Sequence, residues 1–438
     1  MRYAHCIVLL AGFSFVACGQ KNPGMNQKDV VNELNKQPEP KEVKIAVAEF
    51  PEGYTAPAGI KYQPEIKINE VMHINVQAAL NKTRPMKVSE LGKMELHRTG
   101  VEARPRRRAS GSLIRVKENY VLAAGQGLYL LDKNFKFVKQ LFKNDVTLGS
   151  MFEFRKIITN SYYDPSTGQL RCSYMEKKSN GAMVNCVISL PWETLVASAE
   201  PWTSEDITSK LEVDNGVYFH TVITGMEGGA AKVSRFPSRF YTLGLKGDTL
   251  CCFNINNLPP NAVADPSKSF SVGEWCNYYI RQGKVHVRIA YSNTLYRIEN
   301  ASTLKALYQL DSGNLHLTTE EEAYGKVISK SDNSYSISGW FDTEHYLFVQ
   351  LTIGNTTLVY NKDTKELFSL PSSKEKDSDP VLEQNGKTNI PFFPNDVVEG
   401  IPVMYLYGKD LKEKYPEYAK ANGLNDLSDE ELLIVVIR

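Results

Sequence analysis

Residues able to do chemistry are sparse in this chain and scattered along it. His286 lies in KVHVRIAY, inside an alternating apolar run, where a structural imidazole is the expectation. NLHLTTEEEAYG sets His316 just ahead of Glu320, Glu321 and Glu322, donors that could hold a divalent cation; a solvated loop is the plainer reading, and no metal is assigned. GWFDTEHY gathers Asp342, Glu344 and His345, the residue types of general acid–base catalysis, but at a hairpin between two strands. GMEGGAAK, residues 225–232, lacks the Lys-Ser or Lys-Thr ending that a phosphate cradle needs. HExxH, CxxC, GxSxG and EF-hand loops do not occur in the sequence. No catalytic residue and no cofactor follows from these motifs.

The start of the chain carries a stronger signal. MRYAH supplies Arg2, and residues 6–17 hold no charge. That run is too short for a permanent span, which needs ~20 apolar residues, and has the form of an export signal. Phe15-Val16-Ala17-Cys18 resembles the lipobox of bacterial lipoproteins, with Phe15 at a leucine-like position. The resemblance implies cleavage before Cys18, a thioether-linked diacylglycerol on its sulfur and an acylated amino group, so that Cys18 is the membrane attachment. Each buried methylene contributes ~0.8 kcal/mol, and two or more chains hold stably. No later segment has ~18 consecutive apolar residues. Residues 19–42 are polar, with Pro and Gly near both ends, and read as a tether. The expected organisation is a signal over 1–17, lipidated Cys18 and a tether over 18–66, and a folded body over 67–438. GQKN directly after the cysteine lacks the acidic residues that send related lipoproteins outside the cell. The expected location is therefore the cell envelope, on the outer membrane, facing the periplasm rather than the cell surface.

A formal net charge of +1, spread along the chain, gives no electrostatic case for nucleic acid. Arg104, Arg106, Arg107 and Arg108 cluster locally and read as a solvated loop. Beyond the signal and Cys18, five cysteines remain at 172, 186, 251, 252 and 276, so at least one is a thiol. Cys172 and Cys186 flank a turn at residues 179–181; matched register would let them bridge, and a register one residue off would point them apart.

The body is written in short runs of Val, Ile, Leu, Tyr and Phe broken by Gly, Asn, Asp and Lys. SLIRVKENYVLAAGQGLYLLDKNFKFVKQLF divides into strands at 112–116, 120–124, 128–132 and 137–142. The same grammar recurs at 274–310 and 334–370, less regularly at 157–190 and 218–257, and with a helical insert at 397–438. These are six units of about 60 residues, a period that indicates a β-propeller. The fold class expected is all-β: a six-bladed β-propeller of four-stranded antiparallel blades. Closure of the ring is expected from MELH, residues 94–97, pairing with the terminal LLIVVIR, in which Leu433, Val435 and Ile437 face one side and Ile434, Val436 and Arg438 the other.

HINVQAALNKTRPMKVSELGKMELHRTG, GLYLLDKNFKFVKQL and NGLNDLSDEELLIVVIR resemble the six-bladed, TolB-like propeller lipoproteins of gut-type Gram-negative bacteria, a family of unknown function. The family's usual acidic residue after MELH is missing. In a propeller, ligands sit at one mouth of the channel, and strand order lines that mouth with turns between second and third strands. These turns carry Gln126, Asn180 and Asn355, while His316 lies in a long connection overhanging the mouth; these four are the candidate binding face. The expected function is non-enzymatic: a membrane-anchored binding or scaffold module for a protein, glycan or peptide. The alternative is a hydrolase or lyase with its site at the same mouth.

Overall fold

A computed structural model describes residues 65–438 apart from 104–111, 147–153, 166, 180–182, 209, 214–216, 223–229, 235–238, 244–248, 255–276, 282–283, 289–291, 314, 318–333, 336, 352–355, 372–391, 393 and 395. The Lys-Asn and Gly-Gln-Gly punctuation of the first unit produces sheet I from Ser112–Val116, Asn119–Ala124, Gly127–Leu131 and Phe137–Lys143. Apolar residues occupy both faces of its strands. Val116, Val121, Leu128 and Leu130 pack against sheet II, whereas Leu113, Leu122, Tyr129 and Leu131 pack against the chain's last strands. That two-sided burial is what a blade sandwiched between neighbours requires.

Sheet II comprises Asp145–Val146, Phe154–Asp164, Gln169–Lys177, Met183–Pro191 and Lys210–Val213. Its outer strand lies beyond the region read as a unit, because the helix Trp192–Ala197 intervenes and buries Trp192 and Leu195. Sheet III is a meander of Val217–Val222, Ala230–Ser234, Arg239–Leu243 and Thr249–Asn254. Sheet V is another, of Ile337–Asp342, Tyr346–Leu351, Thr356–Asn361 and Leu367–Ser369.

Sheet IV has ten strands. One half is Asn277–Arg281, Lys284–Arg288, Thr294–Asn300 and Thr303–Asp311; the other, the closing half, is Asp396–Val398, Ile401–Tyr407, Glu431–Ile437 and Met94–Glu102. The first strands of the two halves join in parallel at Ile280↔Val398. The propeller therefore has five blades, not the six expected, because two of the repeat units are hydrogen-bonded into one sheet.

The ring closes as the terminal sequences suggest. Met94–Glu102 runs antiparallel to Glu431–Ile437, pairing Met94 with Ile437 and Arg98 with Leu433. Leu433, Val435 and Ile437 enter a cluster with Phe348 and Phe368 of sheet V, while Leu432, Ile434 and Val436 enter one with Leu122 and Leu131 of sheet I. Arg438 is exposed.

The segment before the closing strand forms a belt. Glu65–Lys67 and Met72–Asn75 both pair in parallel with the outer strand Thr303–Asp311, the former across the expected boundary at residue 67. Asn75 caps the helix Val76–Leu80 by accepting from the Ala78 amide at 2.9 Å. The chain then reaches the outer edge of sheet V, where Arg84 donates to the Ser369 carbonyl and the Ser369 amide to the Lys82 carbonyl, each at 3.0 Å. The Arg84 guanidinium lies 3.8 Å from the Phe368 ring centre and bridges Glu90 and Glu366. Two outer edges that would otherwise expose unpaired backbone are thus covered in turn. Among the described residues no helix is long and apolar enough to cross a membrane.

Candidate functional site at the ends of the ring

Asp396–Val398 touches Ser112–Val116, Asn277–Arg281 and Ile337–Asp342, and Ser112–Val116 also touches Phe154–Asp164, so these strands line the inner wall of the ring. Each enters at one end, the entry end, which also carries the turns between second and third strands. The turns between first and second strands lie at the opposite end.

At the entry end, Gln126 is exposed between Gly125 and Gly127. Its turn is held by Asn144, whose backbone amide donates to the Gln126 carbonyl at 2.7 Å and whose side chain donates to the Gly125 carbonyl at 3.1 Å. The Asn144 carboxamide oxygen accepts from the Ile158 amide of sheet II at 2.8 Å. Gly127 is required here: a Cβ would lie 1.9 Å from the Phe142 carbonyl oxygen. Nearby, Asp396 begins the innermost strand of the closing half. One of its oxygens accepts from the Leu113 amide of sheet I at 3.0 Å and from the Tyr405 hydroxyl at 2.5 Å, the other from the Val397 amide at 2.8 Å. Burial raises the Asp396 carboxyl above its ordinary range, against these three hydrogen bonds, and raises the Tyr405 hydroxyl as well. This carboxyl ties the last unit to the first.

The opposite end holds the denser charge cluster, of which sequence reading singled out Asp342 but none of its partners. Asp342, ending the first strand of sheet V, is 1% exposed. Lys362, from the turn between the third and fourth strands of that sheet, makes an ion pair with one Asp342 oxygen and donates to the Thr343 carbonyl. Arg281, ending the first strand of the neighbouring half-sheet, places Nη1 3.1 Å from the Thr343 carbonyl and 3.6 Å from the other Asp342 oxygen. The Tyr308 hydroxyl donates to Asp342 at 3.4 Å, and Lys362 Nζ lies 5.9 Å from the Tyr308 ring centre. Burial raises the Tyr308 hydroxyl, helped by the Asp342 charge, and lowers the Lys362 ammonium in spite of Asp342. His286, 5% exposed, shares a sheet with Arg281; burial pushes its imidazole down to about 4 against the pull of Asp342.

The closing half reaches the same end through the two-residue turn Glu399-Gly400. Both residues have positive φ, 51° and 87°, the mirror-type turn that suits a twisted hairpin. The Gly400 carbonyl accepts from the Glu344 amide at 3.0 Å. A Cβ on Gly400 would sit 3.6 Å from Arg281 Nε, an ordinary contact, so this turn lies against the guanidinium and it is the positive φ that favours glycine. In sheet II, buried Asp164 pairs with buried Arg171 at 3.2 Å beside the turn from Phe154–Asp164 to Gln169–Lys177, and the hydroxyl of neighbouring Tyr162 is raised chiefly by burial, with Asp164 adding to it.

Of the four binding-face candidates, Gln126 stands exposed at the entry end and His316 contributes a backbone bridge opposite Ser334. Asn180, Asn355 and the lipidation residue Cys18 lie outside the described residues, as do most of the long connections expected to overhang the mouth. His345 is placed apart from Asp342, against Asp363 at 2.8 Å. Cys172 stands opposite Ile188 and Cys186 opposite Tyr174, two positions out of register on one buried face, and both are thiols. Among the described residues no three His, Cys, Asp or Glu side chains come together in a form that could hold a metal.

A ring of antiparallel blades, closed by pairing the N-terminal strand to the C-terminal one, is a β-propeller. The chain belongs to the family described as a domain of unknown function, DUF4933, which matches residues 57–417. No curated protein matches it. Among solved structures, a Bacteroides fragilis protein described as exported is similar at 13% identity and a TM-score of 0.53, over 84% of this chain and 99% of that one. A DUF4221 family member from Bacteroides vulgatus is similar at 10% identity and a TM-score of 0.42, over 82% of this chain and 98% of that one. The first likeness bears on the fold alone.

Proposed function

We propose that the protein is an exported lipoprotein, held to the outer membrane by acyl chains on Cys18 and facing the periplasm, whose propeller is a non-enzymatic binding or scaffold module for a protein, glycan or peptide. The observation that carries the non-enzymatic reading is the state of Asp342. A general acid or base must exchange a proton with its substrate. Asp342 instead receives Lys362 from its own sheet and Arg281 and the Tyr308 hydroxyl from the neighbouring half-sheet, which makes it a tie between units. Asp396 is used the same way at the other end. Export draws support from the description of the Bacteroides fragilis neighbour and from the apolar run before Cys18.

Two measurements test the reading. Incubation of the purified body with arrayed glycans and peptides, with mass analysis of what is recovered, should return bound ligand of unchanged mass; conversion to product would favour the hydrolase or lyase. Labelling with a fatty-acid analogue should mark the wild type and not Cys18→Ser, because the thioether cannot form on a hydroxyl. Equal label on both would overturn the anchor.

A further inference from the structure

We propose that the guanidinium of Arg281 receives a single carboxylate of the ligand at the end of the ring lined by the first turns, an inference that rests on the binding reading above. Arg281 is anchored on one side only. Nη1 is committed to the Thr343 carbonyl and the Asp342 carboxylate. Among the described residues, Nε and Nη2 have no acceptor, and the side chain is 20% exposed. Three N–H donors of the planar fork that matches a carboxylate are thus left over by the contacts to Asp342 and Thr343.

The fork is held ready by its surroundings. Thr343, which supplies the anchoring carbonyl, is 3% exposed, and its hydroxyl and amide are both tied to Tyr346. Lys362 is 15% exposed and binds the same carbonyl and the same carboxylate from the other side. Two cations thus converge on one buried carboxylate, and an arriving anion would offset the remaining charge in a partly desolvated place where pairing counts for more than at an open surface. The Gly400 turn lies close to Nε without covering it with a side chain.

The rim narrows the class of ligand. Glu344 and Glu399 are exposed on the turns meeting at this end, and Asp363, paired with His345, follows Lys362. These carboxylates would repel a polyanion within the ~8 Å over which charge is felt at physiological ionic strength. A ligand with one carboxylate on an otherwise neutral body is the better fit.

Calorimetric titration with glucuronate and with N-acetylglycine, each against its neutral counterpart (glucose, N-acetylglycinamide), tests the proposal and separates a sugar acid from a peptide-like acid. At least one acid should bind at least tenfold tighter than its counterpart, Arg281→Gln should abolish that preference, and Arg281→Lys should keep part of it. If Arg281→Gln melts far below the wild type, the second readout is phenylglyoxal modification of wild-type protein mapped by peptide mass: Arg281 should react, and the bound acid should protect it. Neither acid preferred over its counterpart, a preference that survives in folded Arg281→Gln, or an Arg281 that the acid does not protect would each overturn the assignment. Binding of a neutral ligand with no preference for acid would overturn this inference while leaving the binding reading standing.

Discussion

Acid should loosen this propeller through His286 before it reaches the carboxylates, and the size of the effect can be worked out. The imidazole is buried between Val285 and Val287 and sits 3.2 Å from the Lys284 carbonyl, to which neutral Nδ1–H can donate. Burial brings its pKa from 6.5 to about 4. The unfolded chain therefore binds a proton between those values that the folded ring refuses. Stability tied to this residue is fully present above pH 6.5, falls as pH drops through the window and is lost below about 4. At ~1.4 kcal/mol per unit the whole effect is about 3 kcal/mol, of which about 2 kcal/mol appears between pH 7 and pH 5. Carboxylates held low by cations, such as Glu366 beside Lys82 and Arg84, titrate below that range. His97 is also lowered by burial, so a difference measurement is needed. Urea unfolding of wild type and His286→Gln at pH 7, 6 and 5 should show the wild type losing about 2 kcal/mol relative to the variant. Parallel pH profiles would refute the argument that this imidazole is kept neutral by burial.

Asp396 should behave with the opposite sign: its raised pKa means that its contribution is fully present below 3.8 and is lost as pH rises through the folded value, so Asp396→Asn should lose ground to wild type as pH falls, measured by the same unfolding series. Deleting residues 431–438 removes Leu432, Leu433, Ile434, Val435 and Val436, all fully buried, and Ile437. At ~1.5–3 kcal/mol per side chain the loss is on the order of 10 kcal/mol, comparable with the ~5–15 kcal/mol that holds a domain together; the truncated chain should be insoluble, and an unchanged melting temperature would argue against ring closure by this strand. Gly127→Ala would place Cβ 1.9 Å from a backbone carbonyl and should cost ~1–3 kcal/mol or more in chemical denaturation, with the Gln126 turn displaced.

What could be read from the sequence, and what could not, divides along a physical line. Sheet I and the closing pair were legible because their signals are local: turn residues at regular spacing, and an apolar strand at one terminus matched by a strand-like segment near the other. The fusion of two units into sheet IV was not legible, since it rests on one backbone pairing, Ile280↔Val398, that no side-chain pattern announces. The belt was missed for a related reason. EIK and MHIN are too short to read as strands, and they become strands only because Thr303–Asp311 offers them an edge. The charge cluster shows the limit most clearly. GWFDTEHY holds three acid–base residues within four positions, yet the chain separates them: Asp342 turns inward to be buried, while Glu344 and His345 stay at the surface. The true partners of Asp342 are Arg281 in YYIRQGK and Lys362 in YNKDTK, each of which reads alone as a solvated turn residue. A buried carboxylate is tolerable only when cations arrive to meet it, and here Lys362 arrives from another turn of the same sheet and Arg281 from a turn of the neighbouring unit. In a propeller, then, an acidic residue at the end of a first strand is best weighed against the basic residues in turns of the neighbouring unit, because blade-to-blade stacking sets which charges meet.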